Sequence, residues 1–196
     1  MDAKQKERVL RGIAAEEIFK SILPDVGCTL VRQYRGGESH ESSGGKLLRP
    51  DFDVVCGGQD MTIEVKEAGL LERDVKTRGI QTYRMGRFQL SPDGKTKEVH
   101  PKDCYALMVD DPLSNVISVD FVKADKVDAE FKRLIKDGQY PKFPLYRLLE
   151  LRESDRCMLD IGTIVVDRAE LLMYLDKSYT KMLQREAIKR RGHESE

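Results

Sequence analysis

What this chain lacks narrows the field first. Its 196 residues contain no tryptophan and only three histidines, and 34 Lys and Arg balance 34 Asp and Glu. A formal net charge of zero excludes a globally basic nucleic-acid coat protein, so any polyanion site has to be a local patch, as an enzyme's would be. The four cysteines, Cys28, Cys56, Cys104 and Cys157, form no C-x-x-C pair, and with scattered histidines they argue against a structural zinc site. Cys56 and Cys104 lie in strand-like runs and read as buried free thiols. No apolar run reaches the roughly 18 residues of a membrane helix, and no signal-peptide core opens the chain. The expectation is a cytoplasmic protein with no membrane contact.

The length suits one well-buried domain. Residues 3–22 carry Val9, Leu10, Ile13, Ala14, Ile18 and Ile22 at helical spacing, and Pro24 stops the helix. CTLVRQYR alternates like a strand, while GGESHESSGGKLL reads as a Gly/Ser-rich mobile loop. DFDVVCG and MTIEVK read as two strands of a hairpin joined through Gly57 and Gly58. TYRMGRFQL, CYALMVD and NVISVDFV are further strands, with turns at SPDGK and between Asp111 and Asn115. From Asp125 onward helices are expected to dominate: KVDAEFKRLIK, a short FPLYRLLEL, and a long helix to about Arg191. Asp167 and Glu170 supply the last with an N-terminal cap, and its apolar stripe reads as Leu172, Leu175, Tyr179, Met182 and Leu183. The element order predicts an α/β or α+β domain.

The informative stretch is RPDFDVVCGGQDMTIEVKEAG. Charge inside a strand is costly unless it is paired or bound to a metal, yet Asp51, Asp53, Glu64 and Lys66 sit within or at the mouth of these two strands. Residues two apart on a strand share a face, so Glu64 and Lys66 project together, opposite Ile63 and Val65. Hairpin pairing brings Asp51 to the same end of the sheet. Two carboxylates with a main-chain carbonyl suit a hard cation such as Mg²⁺, with Mn²⁺ as substitute. A neighbouring lysine can orient the water that attacks a phosphoryl group. Acid-x-Lys also occurs at Asp2/Lys4, Asp74/Lys76, Asp93/Lys95 and Glu130/Lys132. Only Glu64/Lys66 lies in a β-branched strand following another strand headed by Pro-Asp. Asp53 reads as a solvated or hydrogen-bonded strand residue, and His40 and His100 as surface histidines.

With Pro50-Asp51 and Glu64-Val65-Lys66 as its signature, the chain resembles the PD-(D/E)xK nuclease superfamily. Within it the likeness is to archaeal Holliday-junction resolvases, through Gly12-Ile13-Ala14-Ala15-Glu16 on the first helix, the Gly/Ser-containing loop, and the spacing from Asp51 to Glu64. The likeness covers roughly residues 8 to 68. Two departures stand out: Glu17 occupies a position that is usually basic in those resolvases, and the region after Lys66 looks more like restriction or intron-homing branches.

The resemblance implies an α/β, restriction-endonuclease-like core of helix, mixed β-sheet and flanking helices. That core is expected over residues 1–124, with a helical C-terminal extension over 125–196 packed against it. It also implies that Asp51, Glu64 and the Val65 carbonyl ligate Mg²⁺, that Lys66 positions the water, and that Glu16 completes the acidic cluster, with Glu17 as its rival. The implied activity is Mg²⁺-dependent DNA endonuclease, acting on duplex or branched DNA. The alternatives are a site-specific restriction-like or homing-like enzyme and a non-catalytic nucleic-acid-binding module. Arg11, Lys46 and Arg49 flank the site and, with Ser42 and Ser43, are candidate DNA phosphate contacts. Arg84 and Arg87 belong to a basic run, Lys76, Arg78, Arg84, Arg87, Lys95, Lys97 and Lys102, opposed only by Asp93 and Glu98. A homodimer would suit an enzyme cutting two strands.

Overall fold

The computed structural model describes residues 3–34, 39–42, 45–48, 50–69, 87–88, 103–112, 114–136, 143–157, 161–177 and 179–180. Helix α1 (Ala3–Ile22) opens the chain, rich in Ala, Glu, Lys and Arg, all good helix formers. A 3-10 turn at Pro24–Val26 follows and closes on Gly27 in the left-handed region at φ 66°. Strand β1 (Cys28–Gln33) comes next.

The Gly/Ser-rich stretch, expected as a loop, instead holds a hairpin of β2 (Ser39–Ser42) and β3 (Gly45–Leu48), with Glu41 opposite Lys46. Its strand SHES has no apolar residue, so alternation could not reveal it; backbone pairing needs no such pattern. Strands β4 (Phe52–Cys56) and β5 (Gln59–Gly69) form the expected hairpin. Gly57 and Gly58, at φ 57° and 81°, supply the two positive dihedrals of a tight turn that matches strand twist. From the expected strand TYRMGRFQL only β6 (Arg87–Phe88) is described, and the SPDGK turn lies outside the described residues.

Strands β7 (Cys104–Asp111) and β8 (Val116–Lys123) lead into helix α2 (Ala124–Lys136). A two-residue strand β9 (Phe143–Pro144), paired with β6, precedes helix α3 (Leu145–Ser154). Strand β10 (Ile164–Asp167) follows, and residues 168–177 form a further helix, α4. Helices make up most of the described residues after Asp125, as expected, but β10 is a strand that the sequence reading did not anticipate. Its four residues give too short an apolar run for periodicity to separate strand from helix.

The six-stranded sheet runs β1-β4-β5-β7-β8-β10. β5 and β7 are parallel and the other neighbours antiparallel, so the fold is α/β with a mixed sheet. Alternation sorts side chains onto its two faces. On one face Phe52, Val54, Ile63, Val65, Ala106, Met108, Val119 and Phe121 pack against Ala14, Ala15, Ile18 and Phe19 of α1 and Leu171 of α4. On the other, Tyr105, Leu107, Val109 and Val122 meet Val127, Phe131 and Leu134 of α2. Each fully buried large side chain contributes roughly 1.5–3 kcal/mol.

Asp167 caps α4 as expected, its carboxylate accepting from the Ala169 amide at 2.8 Å. The buried face differs from the expected stripe: Leu171 is 1% exposed, whereas Leu172 and Tyr179 are 47% and 49% exposed. The helix starts directly from β10, so the strand's exit direction sets which side meets the sheet. Met182 and Leu183 lie outside the described residues.

The cysteines also depart from expectation, because none is free. Cys28 and Cys56 are directly opposed across β1 and β4 and form a disulfide, as do Cys104 and Cys157. Sequence spacing carries no trace of this cross-strand opposition, which is a matter of register. Among the described residues no helix is long and apolar enough to cross a membrane.

Candidate functional site

The site forms where the β4–β5 ladder ends. The last Cα pair toward this end is Phe52 with Ile63. One residue earlier Asp51 leaves the strand, and its carboxylate accepts the Val65 amide at 2.8 Å in place of a strand carbonyl. The Asp51 carbonyl in turn accepts from the Tyr34 amide at 2.8 Å. Asp51 is thereby held against Glu64, Val65 and Lys66 by the same backbone that makes the sheet.

Glu64 and Lys66 project from the sheet face opposite α1, and the Lys66 ammonium donates to Glu64 Oε1 in a part-buried ion pair. The other oxygen, Glu64 Oε2, is buried with no hydrogen-bond partner. An unpartnered buried carboxylate oxygen is costly, of the order of 1–3 kcal/mol, and calls for an explanation. Behind it stands Tyr105, the register partner of Glu64 on β7, whose hydroxyl donates to Asp128 Oδ1 at 2.7 Å. Burial, with Asp128, Glu64 and Asp51 nearby, pushes the Tyr105 hydroxyl far up, keeping it a neutral donor.

Glu16 reaches the cluster from the flank of α1. Burial, then the Asp51 charge, push its carboxyl from 4.5 up to about 7, against a hydrogen bond from Gln33 and the charges of Lys20 and Lys66. Lys66 feels burial, which lowers its pKa, but Glu64, Asp51 and Glu16 outweigh it and the net direction is upward. Lys66 is thus coupled to all three carboxylates, and Glu16 to Asp51 as well, across α1, the head of β4 and β5. Glu17 points its carboxylate at Lys20 at 2.7 Å instead. Of the two rivals, Glu16 is the one coupled to the cluster.

No family model matches the chain, and neither curated proteins nor solved structures supply a match.

The donor set fits a hard cation in chemistry: carboxylate oxygens, with Glu64 Oε2 unpartnered. It is not a ready-made cage, because among the described residues no three His, Cys, Asp or Glu side chains form a metal-binding group. The carboxylates are held by Val65, Lys66 and Gln33, so a cation would have to draw Glu64 Oε1 from Lys66 or add to the oxygens left over.

The other sequence candidates divide. Arg11 is committed elsewhere: its guanidinium donates to both oxygens of Glu67 and to Asp110 Oδ2 at 2.9 Å. Lys46 lies on β3, Ser42 on β2 and Arg87 on β6, while Ser43, Arg49 and Arg84 lie outside the described residues. His40 lies on β2 and His100 outside the described residues. Asp53 is hydrogen-bonded, accepting from the Tyr34 hydroxyl at 2.5 Å.

Sequence reasoning missed Gln33, Lys20 and Tyr105 around the site, and Glu67, Asp110 and Arg168 beside it. Arg168 Nε donates to Asp110 Oδ1 at 2.6 Å, so Asp110, 2% exposed, joins α1 to α4 beneath the sheet's end. A buried-strand run such as CYALMVDD ending in two acids was the one available signal.

Proposed function

We propose that this chain is a Mg²⁺-dependent DNA endonuclease whose site is Glu16, Asp51, Glu64 and Lys66. The observation that carries the reading is the convergence of three carboxylates, Glu64, Asp51 and Glu16, on Lys66 beside a buried, unpartnered Glu64 oxygen. A purely structural ion pair would leave no carboxylate oxygen orphaned in the interior.

Asp51, Glu64 and the Val65 carbonyl would hold the cation, which when bound polarises a phosphoryl oxygen and neutralises developing charge. Lys66, kept protonated by three carboxylates, orients a water and stabilises negative charge beside the phosphodiester. Glu16 holds an oxygen at the far side of the cluster as a further acceptor. Asp51, fixed by the Val65 amide, sets the distance between the head of β4 and β5.

The finer assignments belong to the same proposal: a restriction-endonuclease-like core, a preference for branched DNA, and pairing of two copies. A helix on one face, a hairpin bearing the acids and a parallel neighbour to β5 support the first. The basic run around Arg84 and Arg87 supports DNA as the polyanion.

Cleavage of labelled four-way junction, flap, linear duplex and single-stranded DNA tests the proposal, with Mg²⁺, Mn²⁺ or EDTA. Metal-dependent cutting that is lost in Glu64→Ala and Lys66→Ala is the expected result, and the preferred substrate discriminates a junction resolvase from a restriction-like or homing-like enzyme. DNA binding without cutting would replace it with the non-catalytic module. If neither occurs, the DNA assignment is wrong.

A further inference from the structure

Gln33, the last residue of β1, brings a neutral side chain into hydrogen-bonding contact with the acidic cluster. Its amide nitrogen donates to Glu16 Oε2 at 3.0 Å. Its amide oxygen accepts from Lys20 Nζ at 3.2 Å, and the same ammonium is bound to Glu17 Oε1 at 2.7 Å. A glutamine amide can present either end to a neighbour. An ammonium is a donor only and a carboxylate acceptor only, so Lys20 on one side and Glu16 on the other fix which way round the amide lies.

From these contacts we propose that Gln33, locked by Lys20, is a positioning residue that orients the Glu16 carboxylate toward Asp51, Glu64 and Lys66. The inference rests on the nuclease reading for its purpose, although not for its geometry. Glu16 and Lys20 are one helical turn apart on α1, and Gln33 is set by the end of the β1 ladder, where it pairs with Phe52 beside Asp51. The relay therefore ties the helix flank to β1, the neighbour of the strand that Asp51 heads. With Oε2 of Glu16 occupied by Gln33, its other oxygen is the one left for a water or a cation. Glu17 serves a different end, holding Lys20 in place.

Second-sphere partners of this kind typically change metal affinity by 10–100-fold when removed. The test compares wild type with Gln33→Leu, Lys20→Met and Lys20→Arg, using crystal structures of the folded chains and Mn²⁺ binding by calorimetry. Gln33→Leu and Lys20→Met should swing the Glu16 carboxylate away and weaken Mn²⁺ binding by about 10-fold. Lys20→Arg, which keeps a donor at that place, should preserve both. A Glu16 carboxylate that stays put in Gln33→Leu overturns the proposal, and so does one that moves with Mn²⁺ affinity unchanged. Should wild type bind no Mn²⁺ at all, the nuclease reading falls, and the carboxylate position alone then decides whether Gln33 orients Glu16. Denaturation midpoints for all four chains separate a positioning effect from unfolding, because only the latter lowers them together with every other signal.

Discussion

Glu16→Gln should make the metal-free protein more stable at pH 8 while leaving it nearly unchanged at pH 4.5. Burial and the Asp51 charge raise the Glu16 carboxyl from 4.5 to about 7. Between those two values the folded chain keeps a proton that the unfolded chain has released. Stability then falls as pH rises through that window and stays low above it. At ~1.4 kcal/mol per pH unit the ceiling is about 3 kcal/mol, and because Glu16 is only partly buried we expect about 2 kcal/mol. Glutamine at this position keeps an oxygen for the Gln33 amide while removing the charge, so the comparison isolates the charge. In urea denaturation at pH 4.5, 6 and 8, the midpoint gap should grow with pH to about 1 M at unchanged slope. Excess Mg²⁺ should raise the wild-type midpoint more than the variant's and shrink the gap, because wild type has one carboxylate more to offer the cation and a ligand stabilises the state that binds it. A gap that is the same at all three pH values, or a variant less stable than wild type at pH 8, would refute the placement of a buried charge here.

The network beside the site makes a second test. Asp110→Asn removes the negative charge that Arg11 and Arg168 share, leaving Glu67 to Arg11, and should cost about 2–4 kcal/mol by chemical denaturation; the guanidiniums are 22% and 23% exposed, which trims the usual penalty for breaking a buried pair. A loss under about 0.5 kcal/mol would show the network to be solvated. Alkylation of the denatured chain without reductant should label no cysteine, given two disulfides and no free thiol. Reduction should then lower stability by about 3–4 kcal/mol per bridge for loops of this length, while a chain purified with all thiols free would contradict the pairing. Phe19→Ala should cost about 3–5 kcal/mol, because its ring is fully buried 4.7 Å from that of Phe52; a loss near 1 kcal/mol would mean that α1 does not seat on the sheet in this way.

The amino-acid sequence alone determined the elements whose signal is local. The helix α1, the strands β4, β5, β7 and β8, and the two glycines of the β4–β5 turn were readable because each needs only its neighbours along the chain. Of the expected α1 stripe, Ala14, Ile18 and Ile22 are buried while Val9 and Ile13 stay 45% and 40% exposed. Local strand periodicity put Glu64 and Lys66 on one face, and hairpin pairing brought Asp51 beside them. Tertiary structure decided what depends on register and docking. Whether Cys28 meets Cys56 is set by how β1 slides along β4. Whether Glu16 or Glu17 meets the cluster is set by how far α1 is rotated on the sheet, since one residue turns a helix by about 100°. Arg11 looked like a free phosphate contact until Glu67 and Asp110, far off in sequence, turned out to hold it. Gln33 had no pattern to announce it, because a single hydrogen bond between an edge strand and a helix flank leaves no period in the chain. Local physics places charges on strands and helices; only the packing of α1 across the end of β5 makes four of them neighbours.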